Sequence, residues 1–268
     1  MSRLKYSHHM QLSAVVITKN EEDNIKRCLQ SLQFADEIIV VDSESNDDTV
    51  AIAKNLGAKT YVRPWPGYGP QKNFGATKAQ GDWILFLDAD EVVPAELATE
   101  IQATLKNPQQ DFYWLKITTY FLGKPLKQLI GHNLRLFKKS AGSWTGYHVH
   151  EQVQMNNGTV ITLGDKHSQV LENPLAHYSH NTINAYLKRM AQYTALDAQR
   201  MAKGDKHRSG RPVKPTWYLP GYLMVRQFIK LYFYKRGLLD GYVGLLWSAL
   251  SAYYEYVMGK KYLALKHT

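Results

Sequence analysis

The stretch "ILFLDADEVV" (84–93) sets four apolar residues against three carboxylates in four positions, Asp88, Asp90 and Glu91. The apolar run predicts a strand sunk in a core. Charge gathered at the end of such a strand costs free energy unless cationic groups meet it. In an extended segment side chains two apart share a side, so Asp88 and Asp90 are expected to face one crevice while Ala89 turns back into the sheet.

Neighbouring segments repeat the pattern. "LSAVVITKN" (12–20) and "EIIVVDSES" (37–45) are apolar, β-branched runs that end on polar residues, and "AKTYV" (58–62) is a weaker strand. Ile25, Cys28, Leu29 and Leu32 fall at helical spacing after the first run. Ser45 with Asp48 reads as a capping pair for a helix to Leu56, and Pro94 as the first residue of another. Residues 65–81 give a Gly/Pro-rich loop and a short helix. Alternating strands and helices predict an α/β fold with a Rossmann-like, mostly parallel sheet flanked by helices. Ligands of such sheets gather outside the carboxyl ends of the strands. There lie Thr18, Asn20 and Glu21, then Asp42, then Asp88 and Asp90.

A D-x-D pair of hard oxygen donors suits Mg²⁺ or Mn²⁺, which keep coordination positions open for phosphates. Neither a G-x-x-x-x-G-K-[ST] loop nor a G-x-G-x-x-G fingerprint occurs in the chain. A metal is then the expected means of holding a diphosphate, against the plainer reading of D-x-D as a surface cap.

With 268 residues, 44% apolar and 21% charged, the chain is globular in composition. A single cysteine, Cys28, excludes an internal disulfide and suits a reducing compartment. The first twenty residues hold no apolar run of signal-peptide length, and the uncharged stretch Gly241–Tyr254 is too short to span a bilayer. A cytoplasmic protein is expected. The net charge of +10 lies wholly in residues 200–268, where 13 Lys/Arg face Asp205, Asp240 and Glu255. This quarter opens with the basic linker "KGDKHRSGRPVKP" (203–215) and continues in two aromatic-rich helical stretches, about 217–236 and 239–258. A basic amphipathic helix with tyrosine and tryptophan points to an anionic membrane surface or to acceptor phosphates; packing on the body or on another subunit is the alternative. No nucleic-acid-binding motif is present. The expected division is a catalytic domain over 1–200 and a helical extension over 201–268.

The segments "VVITKNEEDNIKRCLQSL" (15–32), "ADEIIVVDSESNDDTVAIAKNLGA" (35–58), "GYGPQKNFGATKAQGDWILFLDADE" (67–91) and "YHVHEQV" (147–153) together resemble family-2 glycosyltransferases with the GT-A fold. Within these the chain is most similar to bacterial lipopolysaccharide inner-core β-glucosyltransferases. The likeness covers nearly the whole chain. One departure is "DSESNDDT" (42–49), where Glu44 and Asp48 replace family glycines, so the backbone must avoid positive φ there or strain to reach it.

The resemblance implies an inverting hexosyltransferase. Glucose is the foremost candidate, moved from a UDP-sugar to a heptose of a lipid-linked core acceptor at the inner membrane. It implies that Asp42 reads the uracil, that Thr18, Asn20 and Glu21 line the uridine, and that Lys72 and Asn73 lie against the nucleotide. Asp88 would contact ribose or metal, and Asp90 would bind the metal. Glu151 of the His150-Glu151 pair would be the general base, or it pairs with a basic neighbour. His177 is implied as a metal ligand, with His180 its competitor. Trp144 and Tyr147 either stack on sugars or pack. Rival readings are the same chemistry on another glycan, lipid or protein, a sugar-nucleotide binder without turnover, and a nucleic-acid-binding module.

Overall fold

The computed structural model describes residues 11–146, 151–180, 182–207 and 209–266. These pack as two units. One runs to Ile117 and resumes over Gly131–His177; the other comprises Thr118–Ile130 and the chain from Tyr178 onward.

In the first unit β1 (Leu12–Thr18), β2 (Glu37–Asp42), β3 (Lys59–Val62) and β4 (Trp83–Asp88) lie parallel in the order β3-β2-β1-β4. Between and after them come α1 (Glu22–Gln30), α2 (Thr49–Asn55), α3 (Tyr68–Lys78), the short β5 (Glu91–Val92) and α4 (Ala95–Lys106). The period of two sorts each strand onto two cores. Ala14, Val16, Val40, Leu85 and Leu87 pack with Ile25, Cys28 and Leu29 of α1 and with Leu97 and Ile101 of α4. Val15, Ile17, Ile39, Val41, Ile84 and Phe86 pack with Phe74 of α3, Phe137 and Trp144. Burial on both faces explains why β1 and β4 read as unbroken apolar runs.

The remaining strands are β6 (Phe112–Phe121), β7 (Lys124–Pro125), β8 (Gly131–Lys138), β9 (Gly142–Trp144), β10 (Val153–Met155) and β11 (Ser168–His180). β8 pairs antiparallel with β4 and β6, and β11 pairs antiparallel with β5. The sheet continues past β4 as β8-β6-β11-β5, with β7 on β6, while β9 and β10 pair separately. The α/β fold with its Rossmann-like half is as expected, but the whole sheet is mixed rather than mostly parallel. No helix separates β6 from β8, and a parallel pair needs a long crossover.

Two local expectations are revised. Asp48 stands at the N-cap of α2 without a side-chain cap bond, and the Ser45 hydroxyl turns back to Asp42 instead. Pro94 precedes α4 in extended geometry as its N-cap.

The second unit holds α5 (Ile183–Ala202), capped by Thr182, then α6 (Leu219–Ile229), a π-helical turn Lys230–Tyr234, a 3-10 turn Gly237–Asp240 and α7 (Gly241–Lys266). Ala198, Met201, Leu219, Leu223, Met258 and Tyr262 form one of its cores. Buried His207 bridges Ser209 and Glu255, each at 2.8 Å, tying the basic linker to α7. Among the described residues, no helix is long and apolar enough to cross a membrane.

Gly75 sets how close α3 comes to the sheet. A Cβ there would stand 2.3 Å from Val15 Cγ1 and 3.1 Å from Val41 Cγ2. Gly75→Ala is expected to cost about 1–3 kcal/mol by overpacking, read as a lowered urea midpoint. An unchanged midpoint would mean that α3 lifts off at no cost.

Candidate functional site

Parallel register brings three strand ends level. Thr18 sits beside Asp42, and Ile17 beside Asp88. The loops that follow are laced together. Asn20 and Glu21 N–H donate to Ser45 Oγ and Thr49 Oγ1, each at 2.8 Å, and Asn46 N–H donates to Asn20 Oδ1 at 2.8 Å. Asp42 is fully buried and accepts from Ser45 N–H at 2.9 Å and from the Ser45 hydroxyl. Glu44 keeps φ of 60°, so the left-handed turn survives the loss of the family glycine, at a local cost.

The carboxylates of "DADE" meet cations from distant segments. Arg135 of β8 donates through one nitrogen to Asp88 Oδ2 at 2.7 Å and Glu91 Oε1 at 2.5 Å. The other Glu91 oxygen accepts from Asp88 N–H at 2.9 Å. Lys72 Nζ lies 3.6 Å from Asp88 Oδ1 and 2.6 Å from Glu151 Oε1, and His177 Nε2 lies 3.3 Å from Asp90 Oδ2. Burial pushes the Asp88 carboxyl up, but Arg135 first and Lys72 next outweigh it and hold it well below the usual carboxylate range. Burial raises Glu91 despite Arg135. His177 is carried up to about 9 by Asp90 against the pull of burial. The Cys28 thiol donates to Asp88 O and is pushed well up, by burial first and then by Glu91, Asp90 and Asp88, which makes it an unreactive part of the core.

Lys72 is one of the most buried side chains, with Nζ 4.4 Å from the centre of the Trp144 ring. A solvated helix lysine is thereby ruled out. Trp144 is itself buried against Phe86 and Phe137, so it packs and does not offer a face to a sugar. The Asn73 amide both donates to Trp144 O at 2.8 Å and accepts from Trp144 N–H at 2.9 Å. It clamps α3 to β9.

Asp88 and Asp90 do not face out as a pair. The strand stops at Asp88, Ala89–Asp90 forms a turn with Ala89 buried, and Asp88 is committed to Arg135. Among the described residues no group of three His, Cys, Asp or Glu side chains is arranged to hold a metal. Asp90 and His177 remain as a two-donor site, brought together because β11 pairs His177 with Glu91. One carboxylate oxygen and one imidazole nitrogen, the latter giving up its proton on binding, would fit Mn²⁺ better than the oxygen-preferring Mg²⁺, with water and phosphate oxygens completing the shell. The buried Asp88 Oδ1, Thr18 Oγ1 and Gln71 Oε1 have no hydrogen-bond partner among the described residues. Thr18 and Asp88 lie at strand ends and Gln71 on α3, so a polar ligand or water held there would find these atoms open.

Arg135 and Gln71 are site-forming residues that sequence reading missed. The signal for Arg135 was a charge inside "LRLF" (134–137), every member of which is buried. Gln71 Nε2 donates to Ser43 Oγ at 3.0 Å. Tyr147 and His150, and the side chain of His180, lie outside the described residues.

A parallel half-sheet with polar side chains gathered at its strand ends forms a ligand crevice there. The model of glycosyl transferase family 2 matches residues 13–160, more than half the chain, and the chain belongs to that family. An uncharacterized glycosyltransferase of Rickettsia typhi is 32% identical over 92% of this chain and 85% of its own length. A lipopolysaccharide core biosynthesis glycosyltransferase of Rhizobium meliloti is 26% identical over 91% of this chain and 90% of its own. Among solved structures, S. aureus TarS 1–349 covers 91% of this chain and 90% of that one at 14% identity and a TM-score of 0.46.

Arg135→Met leaves buried Glu91 without its cation and half-buried Asp88 with Lys72 alone, and is expected to cost about 3–5 kcal/mol. Adding Glu91→Gln to Arg135→Met should recover part of that loss in chemical denaturation. Strict additivity of the two changes would deny the coupling.

Proposed function

We propose that this glycosyltransferase is an inverting hexosyltransferase that moves a hexose, glucose foremost, from a UDP-sugar to a heptose of a lipopolysaccharide inner core. The observation that carries the reading is the buried Lys72–Glu151 pair, set against Asp88 and Arg135 where β1, β2 and β4 end. The acceptor is suggested by the Rhizobium meliloti relative, described as acting in lipopolysaccharide core biosynthesis. In this reading residues 1–200 bind the donor and carry the chemistry, and the basic extension 201–268 meets the membrane or the acceptor. The enzyme then works at the cytoplasmic face of the inner membrane without spanning it.

Transfer with inversion is one displacement. The acceptor oxygen bonds to the anomeric carbon as the bond from that carbon to the diphosphate oxygen breaks, and the hydroxyl proton leaves to a base. Glu151 is that base in this proposal, with Lys72 fixing its carboxylate by the 2.6 Å contact. Asp42 accepts from the uracil N–H, an acceptor-only group suited to that readout. Thr18 and Glu21 line the uridine, Thr18 through its unpartnered hydroxyl. Asn20 and Asn73 contribute by holding the loops, since their amide oxygens are taken by Asn46 and Trp144. Asp88 contacts the ribose through Oδ1. Asp90 and His177 would hold Mg²⁺ or Mn²⁺, whose chemistry when bound is charge neutralisation on the departing diphosphate.

The test is transfer from a panel of radiolabelled UDP-sugars to truncated core acceptors. Label is expected to pass from UDP-glucose to a heptose-ended acceptor. Glu151→Gln should bind donor normally and lose turnover by roughly a hundredfold or more. Near-normal turnover in Glu151→Gln would move the base elsewhere, and no transfer to any acceptor would overturn the reading.

A further inference from the structure

We infer that the α6–α7 hairpin is a docking face for an anionic lipid bilayer, lying in the headgroup layer without crossing it. Along α6 and the turn after it, Tyr222, Val225, Ile229 and Phe233 are exposed at helical spacing, while Leu219 and Leu223 on another side of the same helix are buried with Met258 and Tyr262 of α7. α7 answers with its own exposed stripe, Tyr242, Leu245, Ala249 and Tyr253. The stripes border one groove of about 300 Å³, lined by Val225, Phe228 and Ile229 from α6 and Ala249, Ala252 and Tyr253 from α7. Two helices thus present one continuous apolar face. A patch of this kind on a folded chain marks a contact surface.

Charge decides what covers it. Lys230, Lys235 and Arg236 are exposed at the tip of the hairpin beside Tyr234 (86% exposed), Leu238 and Leu239. Between Trp217 and Tyr253 the single acid is Asp240, whose carboxylate accepts from the Lys127 and Gln128 N–H groups. The tip of the hairpin therefore carries more cations than acids. The same face of a second copy, packed symmetrically, would bring more cations and no acid between Trp217 and Tyr253 other than Asp240. Anionic headgroups supply the missing charge, and the acyl boundary takes the aliphatic and aromatic side chains. Tyrosine and tryptophan, here Trp217 (88% exposed), Tyr222, Tyr242 and Tyr253, suit that boundary because one part of the ring system is apolar and another polar.

This deepens the membrane part of the proposed function and rests on it only for the purpose of the contact. The test needs no sugar donor, so it fails or succeeds apart from the transferase reading. The full chain is floated with phosphatidylcholine vesicles that contain or lack phosphatidylglycerol. Wild type is expected to float with the anionic vesicles alone. Removing three surface cations in Lys230→Ala/Lys235→Ala/Arg236→Ala should weaken partition roughly a hundredfold. Ile229→Asp/Phe233→Asp should abolish flotation while far-UV circular dichroism and the melting temperature stay as in wild type. Wild type that stays unbound with both vesicle types, or variants that float as well as wild type, overturns the inference. So does a dimer in sedimentation that Ile229→Asp/Phe233→Asp splits without any vesicle binding.

Discussion

One guanidinium sits between two carboxylates at the tip of β4, and the crevice is organised around it. Arg135 is buried, and burying a charge is costly unless geometry repays it. Asp88 and Glu91 do so from the end of β4 and from β5, which ties the turn between them to β8. The bond fixes Asp88 Oδ2, leaving Oδ1 towards Lys72, and Lys72 in turn holds Glu151. Polar groups held in advance in a dry site stabilise developing charge without reorganising.

The parallel half was legible because its strands are buried on both faces. Seven consecutive buried residues in β1 can hardly be read otherwise, and the polar residue at each strand end follows from topology. Lys72 and Glu151 could be named but not joined, since they stand 79 residues apart in the chain. Arg135 was missed for a related reason: its partner Asp88 is 47 residues away, and an arginine within a strand reads as a solvent-facing position. The extended reading of "DADE" failed because Arg135 and His177 pull its carboxylates to different partners, which a turn permits and a straight strand does not.

Residue type alone misleads at Glu44, Asn73 and Trp144. Glu44 holds a left-handed backbone that favours glycine, so the lacing of the two loops outweighs a local penalty. Asn73 and Trp144, both plausible ligand contacts in sequence, are spent on each other and on packing. Side chains of chemical promise serve the scaffold as often as the ligand. Thr18 and Asp88 differ from Asn73 in keeping a buried oxygen without a hydrogen-bond partner.

In the proposed function a nucleoside diphosphate binds at these strand ends with a divalent cation at Asp90 and His177. Calorimetric titration of UDP into the full chain tests this most directly, with Mn²⁺ and then with EDTA, for wild type and Asp90→Asn. Saturable binding that requires Mn²⁺ and disappears in Asp90→Asn is the predicted result. Equal affinity under all four conditions, or no binding under any, would contradict it.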